Sequence, residues 1–290
     1  MKVAFLGTGL MGLPMAQRLL GANIPLIAYN RTPEKLEPLK AAGAEIAIKP
    51  RQAIAVADCV ILMLTNTPAI YSVLLSDRAS HSIAGRTIIQ MGTITPTESK
   101  EIQDAVVAAG GEYIEAPVLG SVPEAKTGEL IVMVGGNQLQ YERNLELLKN
   151  FSPNPIHVGA VGTAAALKLA LNQLIASQTA AFALSLSFAQ LQGVNVDIFM
   201  DILRSSALYA PTFDKKLPRM LDGDYSHPNF PTKHLMKDIE FFLEEAKNVG
   251  LNIKSLEGVR EIIETTMKMS FGNSDYSAIF AAINHTLEGK

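Results

Sequence analysis

A glycine string near the start limits the fold of this chain more than any other feature. Lys2-Val3-Ala4-Phe5-Leu6 is a short apolar run of strand type, broken by Gly7-Thr8-Gly9-Leu10-Met11-Gly12. Leu13 to Leu20 then reads as a helix, and a second apolar run, Pro25 to Tyr29, ends at Asn30-Arg31-Thr32. Strand, glycine turn, helix and strand within about thirty residues is the setting that turns a bare G-x-G-x-x-G string into a dinucleotide fingerprint. Gly7 permits the tight turn, Gly9 lets the backbone approach a pyrophosphate, and Gly12 lets the helix pack on the strand. The helix start adds unpaired N–H groups and the positive end of a dipole. Thr8, Leu10 and Met11 share that turn and are expected to touch the cofactor with the glycines.

The end of the second strand bears on which dinucleotide is bound. NAD enzymes carry an Asp or Glu about 20 residues past the glycines to hold the ribose 2′-OH. Here Asn30, Arg31 and Thr32 stand in that place, and Glu34 follows behind Pro33. A guanidinium and a hydroxyl suit a 2′-phosphate, which a carboxylate would repel. The expected cofactor is NADP(H). The plainer alternative is an arginine that is simply solvated at a helix start.

Beyond this point the chain alternates. Helix is expected over Pro33 to Ala42, strand over Ala44 to Ile48 and a brief helix over Arg51 to Ala57. Cys59 to Thr65 is a continuous apolar run, as in a buried parallel strand. Thr67 to Leu75 reads as helix, Arg86 to Met91 as strand, and Pro96 to Ala109 as a helix closed by Gly110-Gly111. Tyr113 to Val118 and Glu129 to Val134 read as strands around a polar loop. The pattern predicts an α/β fold with an N-terminal Rossmann-type doubly wound sheet domain over residues 1–161.

The texture then changes. A helical pattern from Gly162-Thr163 to Gln192 runs for roughly 30 residues, or about 45 Å. The rest reads as helices broken by Pro211, Pro218, Pro228 and Pro231, with Thr232 to Val249 and Leu256 to Phe271 the clearest. An all-α C-terminal domain over 162–290, joined by the long helix, is expected. No charged residue occurs from Leu169 to Val196, yet Asn172, Gln173, Gln178 and Gln190 are too polar for lipid. Burial in protein, or between subunits of a homodimer or homotetramer, explains that helix better than a membrane.

Composition excludes other classes. With 48% hydrophobic and 18% charged residues, the chain is a well-buried globular protein. A net charge of −3 without a basic run argues against nucleic acid. The single cysteine, Cys59, excludes a disulfide framework and fits a reducing cytosol, and no leader is expected before the first strand. The five histidines show no metal-ligand spacing.

One lysine interrupts an otherwise small and apolar stretch, Gly159-Ala160-Val161-Gly162 through Lys168 to Asn172. Lys168 and Asn172 are one helical turn apart and share a face. Burying an ammonium is costly, so such a lysine is a candidate proton donor. Hydride reduction of a carbonyl leaves charge on oxygen, which a nearby ammonium stabilises or protonates. Asn172 would hold the lysine or the substrate oxygen. A lysine snorkelling to solvent is the alternative from spacing alone.

Four separated motifs resemble the β-hydroxyacid dehydrogenase family and cover nearly the whole chain. They are Val3 to Ala16 with its Met11-Gly12-Leu13-Pro14-Met15 tail, Glu115-Ala116-Pro117-Val118-Leu119-Gly120-Ser121, Gly159 through Lys168 and Asn172, and Lys237-Asp238 after Phe230. The resemblance implies Lys168 as general acid in reduction and base in oxidation, with Asn172 supporting it. It implies a small aldehyde or hydroxyacid substrate whose carboxylate is held near Leu119, Gly120 and Ser121. Phe230 and Asp238 would line the closed site, while Leu64, Thr65, Thr93 and Lys237 would touch the cofactor. No metal is implied.

This chain departs from the family pattern at Leu119, where a serine is common, and at Ser121, where a second glycine is frequent. Ser121 either replaces the lost hydroxyl or only caps the loop. With Arg31, the resemblance leans to the branch that reduces glyoxylate and succinic semialdehyde with NADPH. The alternatives are a 3-hydroxyisobutyrate or tartronate semialdehyde (2-hydroxy-3-oxopropionate) enzyme of the same family. Less favoured are an imine reductase, which commonly has Asp or Tyr in place of the lysine, and a cofactor-binding scaffold without turnover.

Overall fold

Short apolar runs, each closed by polar or glycine residues, become the strands of the first half of the chain. The computed structural model describes residues 1–284, so the last six residues of the expected second domain lie outside the described residues. Two units are distinguished, Met1–Lys168 and Leu169–Lys290.

In the first unit the strands are β1 (Val3–Leu6), β2 (Leu26–Tyr29), β3 (Glu45–Ile46), β4 (Cys59–Leu62), β5 (Thr87–Gln90), β6 (Glu112–Glu115), β7 (Val118–Leu119), β8 (Ile131–Gly135) and β9 (Ile156–Gly159). Their order is β3-β2-β1-β4-β5-β6-β8-β7, with β9 on β8. The first six run parallel, and β1 sits between β2 and β4, with Val3 opposite both Leu26 and Cys59. Chain order therefore reverses beside β1, the switch point where open α/β sheets bind ligands. Successive side chains point to opposite faces. Phe5, Ile61 and Ile89 pack on one face, and Leu6, Val60 and Ile88 on the other. Both faces are covered, which is why these strands read as unbroken apolar runs.

Several boundaries differ from expectation. The run from Tyr113 to Val118 splits into β6 and β7 because Pro117, which has no N–H to give, stands between them. The polar loop that follows contains a helix, Val122–Thr127, and a further unpredicted helix spans Gln138–Leu148. That second helix buries only Asn144, Leu147 and Leu148, too few for a clear apolar period, but Asn137 and Gln140 close its start reciprocally at 2.9 and 3.1 Å. Pro218 does not break a helix; it lies inside Pro211–Asp222, held by the buried face of Phe213, Lys216 and Met220.

The second unit is helical. The long helix, Thr163–Leu191, starts in the first unit and continues into the second, where Ala176 and Ala180 pack with Leu235, Ile239 and Ile263. The helices Thr232–Asn248 and Lys254–Lys268 supply that core, and Phe182 stacks on Phe213 at 4.6 Å. A buried ion pair, Lys216 Nζ to Asp275 at 2.8 and 2.9 Å, ties Pro211–Asp222 to the turn that precedes Tyr276–Ala278. By length and composition the long helix is apolar enough to cross a membrane. Leu184, Phe188 and Leu191 of this helix are each more than 60% exposed, and Ile198 and Ile202 of Val196–Arg204 are exposed as well. The whole is a Rossmann-type doubly wound sheet domain followed by an all-α domain, linked by a long helix.

Candidate active site

Every candidate cofactor residue of the first unit lies beyond the C-terminal end of a parallel strand. Gly7 to Gly12 follow β1, Asn30 to Thr32 follow β2, Leu64 and Thr65 follow β4, and Thr93 follows β5. The glycine turn is as tight as its residues permit. Gly7 has φ +103°, and a Cβ on Gly12 would come 2.0 Å from the Gly7 carbonyl oxygen, so a side chain at Gly12 would force helix and strand apart. Nothing lies within 4 Å of the position a Cβ would take on Gly9, which leaves open space over the middle of the turn. The helix Gly12–Gly21 has no acidic residue in its first turn and no cap from the Met11 side chain, and Leu13 N–H bonds back to the Gly9 carbonyl at 3.0 Å. An uncapped helix start beside an open turn suits a diphosphate.

The Asn30 side chain braces the loop that it stands on. Its Oδ1 accepts from Thr8 N–H (3.1 Å) and its Nδ2 donates to the Thr32 carbonyl (2.9 Å). The side chain thus ties the glycine turn to the loop that carries Arg31 and Thr32. Thr8 is buried, while Leu10, Arg31, Thr32 and Thr65 are exposed.

The turn after β7 is committed to a cap. Ser121 begins Val122–Thr127, and both its N–H and its hydroxyl donate to Glu124 Oε2 at 2.8 Å. Leu119 is half-buried and pairs with Ile131, and Gly120 is exposed. Lys168 is 8% exposed in the second turn of the long helix.

The first turn of that helix is held by Glu115, 1% exposed, a residue that sequence reasoning treated only as the first letter of a motif. Its Oε1 accepts from Gly162 N–H (2.8 Å), Ala164 N–H (2.8 Å) and Ala165 N–H (3.2 Å). Its Oε2 accepts from the Ser99 hydroxyl at 2.5 Å, and Ser99 Oγ lies 2.9 Å from the Tyr113 hydroxyl. Burial pushes the Tyr113 hydroxyl far above its usual range, so it stays a neutral phenol. The available signal was a carboxylate at the end of an apolar strand, ahead of a helix with no acid of its own in the first turn.

In the second unit, Asn172 Nδ2 donates to Asp238 Oδ2 at 2.6 Å, and both residues are buried. Asn172 Oδ1 has no hydrogen-bond partner among the described residues. Asp238 Oδ1 is 3.0 Å from Lys237 Nζ, an ion pair. Lys237 also lies over the Phe241 ring at 4.8 Å. Phe230 packs edge-on against Tyr276 at 5.8 Å. His234, one turn before Asp238, is held below its usual pKa by burial and then by Lys237 and Lys233. No group of three metal-ligating side chains occurs among the described residues.

Comparison with known proteins shows the family of the chain. The family model for the NAD binding domain of 6-phosphogluconate dehydrogenase matches residues 2–159. Residues 162–283 match the one described as NAD-binding of NADP-dependent 3-hydroxyisobutyrate dehydrogenase. The chain belongs to the β-hydroxyacid dehydrogenase family. Glyoxylate/succinic semialdehyde reductase 1 of Arabidopsis thaliana is 29% identical over 290 residues, covering 99% of this chain and 100% of the relative. The 2-hydroxy-3-oxopropionate reductase of Escherichia coli is 29% identical over 295 residues, at 99% and 100% coverage. The fold matches Mycobacterium tuberculosis 3-hydroxyisobutyrate dehydrogenase, solved with L-serine, at a TM-score of 0.88, with 24% identity and 99% of both chains covered. This β-hydroxyacid dehydrogenase is therefore an NAD(P)-dependent oxidoreductase acting on CH–OH groups.

Proposed function

We propose that this enzyme reduces small aldehyde or keto acids, glyoxylate and succinic semialdehyde foremost, with NADPH. One observation carries the reading: a lysine 8% exposed in an otherwise uncharged stretch of the long helix, Lys168. A bound nicotinamide supplies the hydride. Lys168 donates the proton to the carbonyl oxygen in reduction and takes it back in oxidation, with Asn172 one helical turn on as its support. The uncapped helix start and the open space at Gly9 support a bound dinucleotide, and the exposed Arg31 and Thr32 support NADPH, as does the description of the second family model. The names of the two relatives support the substrate class.

The deciding assay is NADPH oxidation by the purified enzyme. kcat/KM is compared for glyoxylate, succinic semialdehyde, methylmalonate semialdehyde and tartronate semialdehyde. The highest values are expected for the first two. A clear preference for either of the others moves the assignment to that branch, and NADPH binding without turnover of any aldehyde acid means a non-catalytic cofactor binder.

The cap at Ser121 leads to a specific expectation. In this reading the substrate carboxylate sits against the amides near Gly120 and Ser121, where Glu124 already takes the Ser121 N–H and hydroxyl. Glu124→Gln keeps the cap and removes the competing charge. The KM for succinic semialdehyde is expected to fall about threefold to tenfold, the scale of a screened charge effect, with kcat little changed. An unchanged or higher KM would leave Ser121 as a cap alone.

The exposed Leu184, Phe188 and Leu191 of the long helix, with the exposed Ile198 and Ile202, support a homodimer or homotetramer, because large apolar side chains left together in solvent mark interaction surfaces. Light scattering at micromolar concentration is expected to give a mass above that of one chain, and Phe188→Glu to reduce it. A wild-type monomer would refute the assembly.

A further inference from the structure

Glu115 closes two donors that the long helix has no means of closing itself. Ala164 and Ala165 are the second and third residues of that helix, and N–H groups there have no carbonyl partner within the helix. Most helices meet this need with a nearby capping side chain. Here the acceptor comes from the end of β6, about fifty residues earlier in the chain, and it also places a buried negative charge at the positive end of the helix. Space for the carboxylate is built in from the other side. Gly135 of β8 lies opposite Glu115, and a Cβ there would come 2.4 Å from Oε1. Ser99, backed by Tyr113, fixes Oε2. With both oxygens engaged, the carboxylate has little freedom to rotate.

A local cap would have stabilised the helix equally well. A cap carried by the sheet does something more: it sets where the first turn stands. Lys168 follows Ala165 by three residues, a rise of about 4.5 Å and nearly one turn. Glu115 is also the first residue of the run that ends in the Gly120-Ser121 turn. We infer that Glu115 is a positioning residue, which holds the first turn of the long helix, and through it the Lys168 ammonium, in register with the strand that leads to the candidate substrate turn. The inference rests on the reading of Lys168 as the general acid.

The test uses the full chain with NADPH and succinic semialdehyde. Glu115→Asp keeps the charge but withdraws the carboxylate by one methylene, whereas Glu115→Gln keeps the reach and an acceptor oxygen but not the charge. A displacement of the order of an ångström at the reacting group is enough to cost about a hundredfold in rate. Glu115→Asp is therefore expected to lower kcat by about thirtyfold to a hundredfold, with the KM for NADPH within about threefold, while Glu115→Gln loses no more than about fivefold. In a Lys168→Ala background, Glu115→Asp is expected to lower the residual rate by no more than about twofold, because no ammonium is left to place. A kcat near wild type for Glu115→Asp overturns the inference, and so does an equal fractional loss in both backgrounds, which marks a purely structural role. Where Glu115→Asp fails to fold, Gly135→Ala, which crowds Oε1 without altering Glu115, carries the same cycle. Near-normal turnover by Lys168→Ala alone overturns the general-acid reading instead, and it is seen in a different variant.

Discussion

Lys168→Ala is expected to lower kcat at least about a hundredfold while leaving NADPH affinity within about threefold. A positioned general acid typically contributes a factor of about 10² to 10⁴, and its loss affects the proton transfer rather than the binding of cofactor. The lysine is 8% exposed in a stretch of helix with no other charge, so no neighbouring side chain of that stretch is equipped to replace it. Lys168→Arg sharpens the test. A guanidinium keeps the positive charge but does not give up its proton near neutral pH, so a deficit similar to that of alanine identifies proton transfer, while recovery by arginine identifies charge alone. Near-normal turnover by Lys168→Ala removes the residue from the mechanism. The measurement is steady-state kinetics with succinic semialdehyde, with NADPH binding followed separately by fluorescence.

Arg31→Ala is expected to weaken NADPH by about tenfold or more and NADH by less than about twofold, the difference being a charge-assisted contact with the 2′-phosphate. Arg31 is exposed on a loop that the Asn30 side chain fixes to the glycine turn, so the guanidinium is carried by an ordered support. Dissociation constants for both cofactors, measured at one ionic strength, decide the matter. Equal losses for NADPH and NADH would remove the phosphate contact and return Arg31 to an ordinary solvated surface residue.

The sheet was readable because β1, β2, β4 and β5 are covered on both faces, and a strand of that kind is an uninterrupted apolar run. The long helix was readable for a similar reason, since small and apolar residues without a break leave few other solutions. Gln138–Leu148 was not, because its surface is mostly polar and only its cap marks it. Pro218 misled because the rule against proline inside helices is a cost that packing offsets, here through Phe213 and Met220. For the candidate site, residue types and spacing picked out Lys168 and the glycine turn. The connections that hold them did not show. Asn30 looked like a vacancy for an acid and is a two-ended brace, and Glu115 looked like a motif letter and is an anchor. Such bonds join residues far apart in the chain, and no local pattern records them.

The fifty-residue reach of Glu115 has a consequence for how the molecule is made. As the chain emerges from a ribosome, this carboxylate arrives with β6, well before the amides that will donate to it. Until residues 162–165 follow, the nucleotide-binding half has a buried anion without its main donors, a state that is expensive in a low-dielectric interior. The sheet is therefore expected to finish closing only once the helix that carries Lys168 has begun to form.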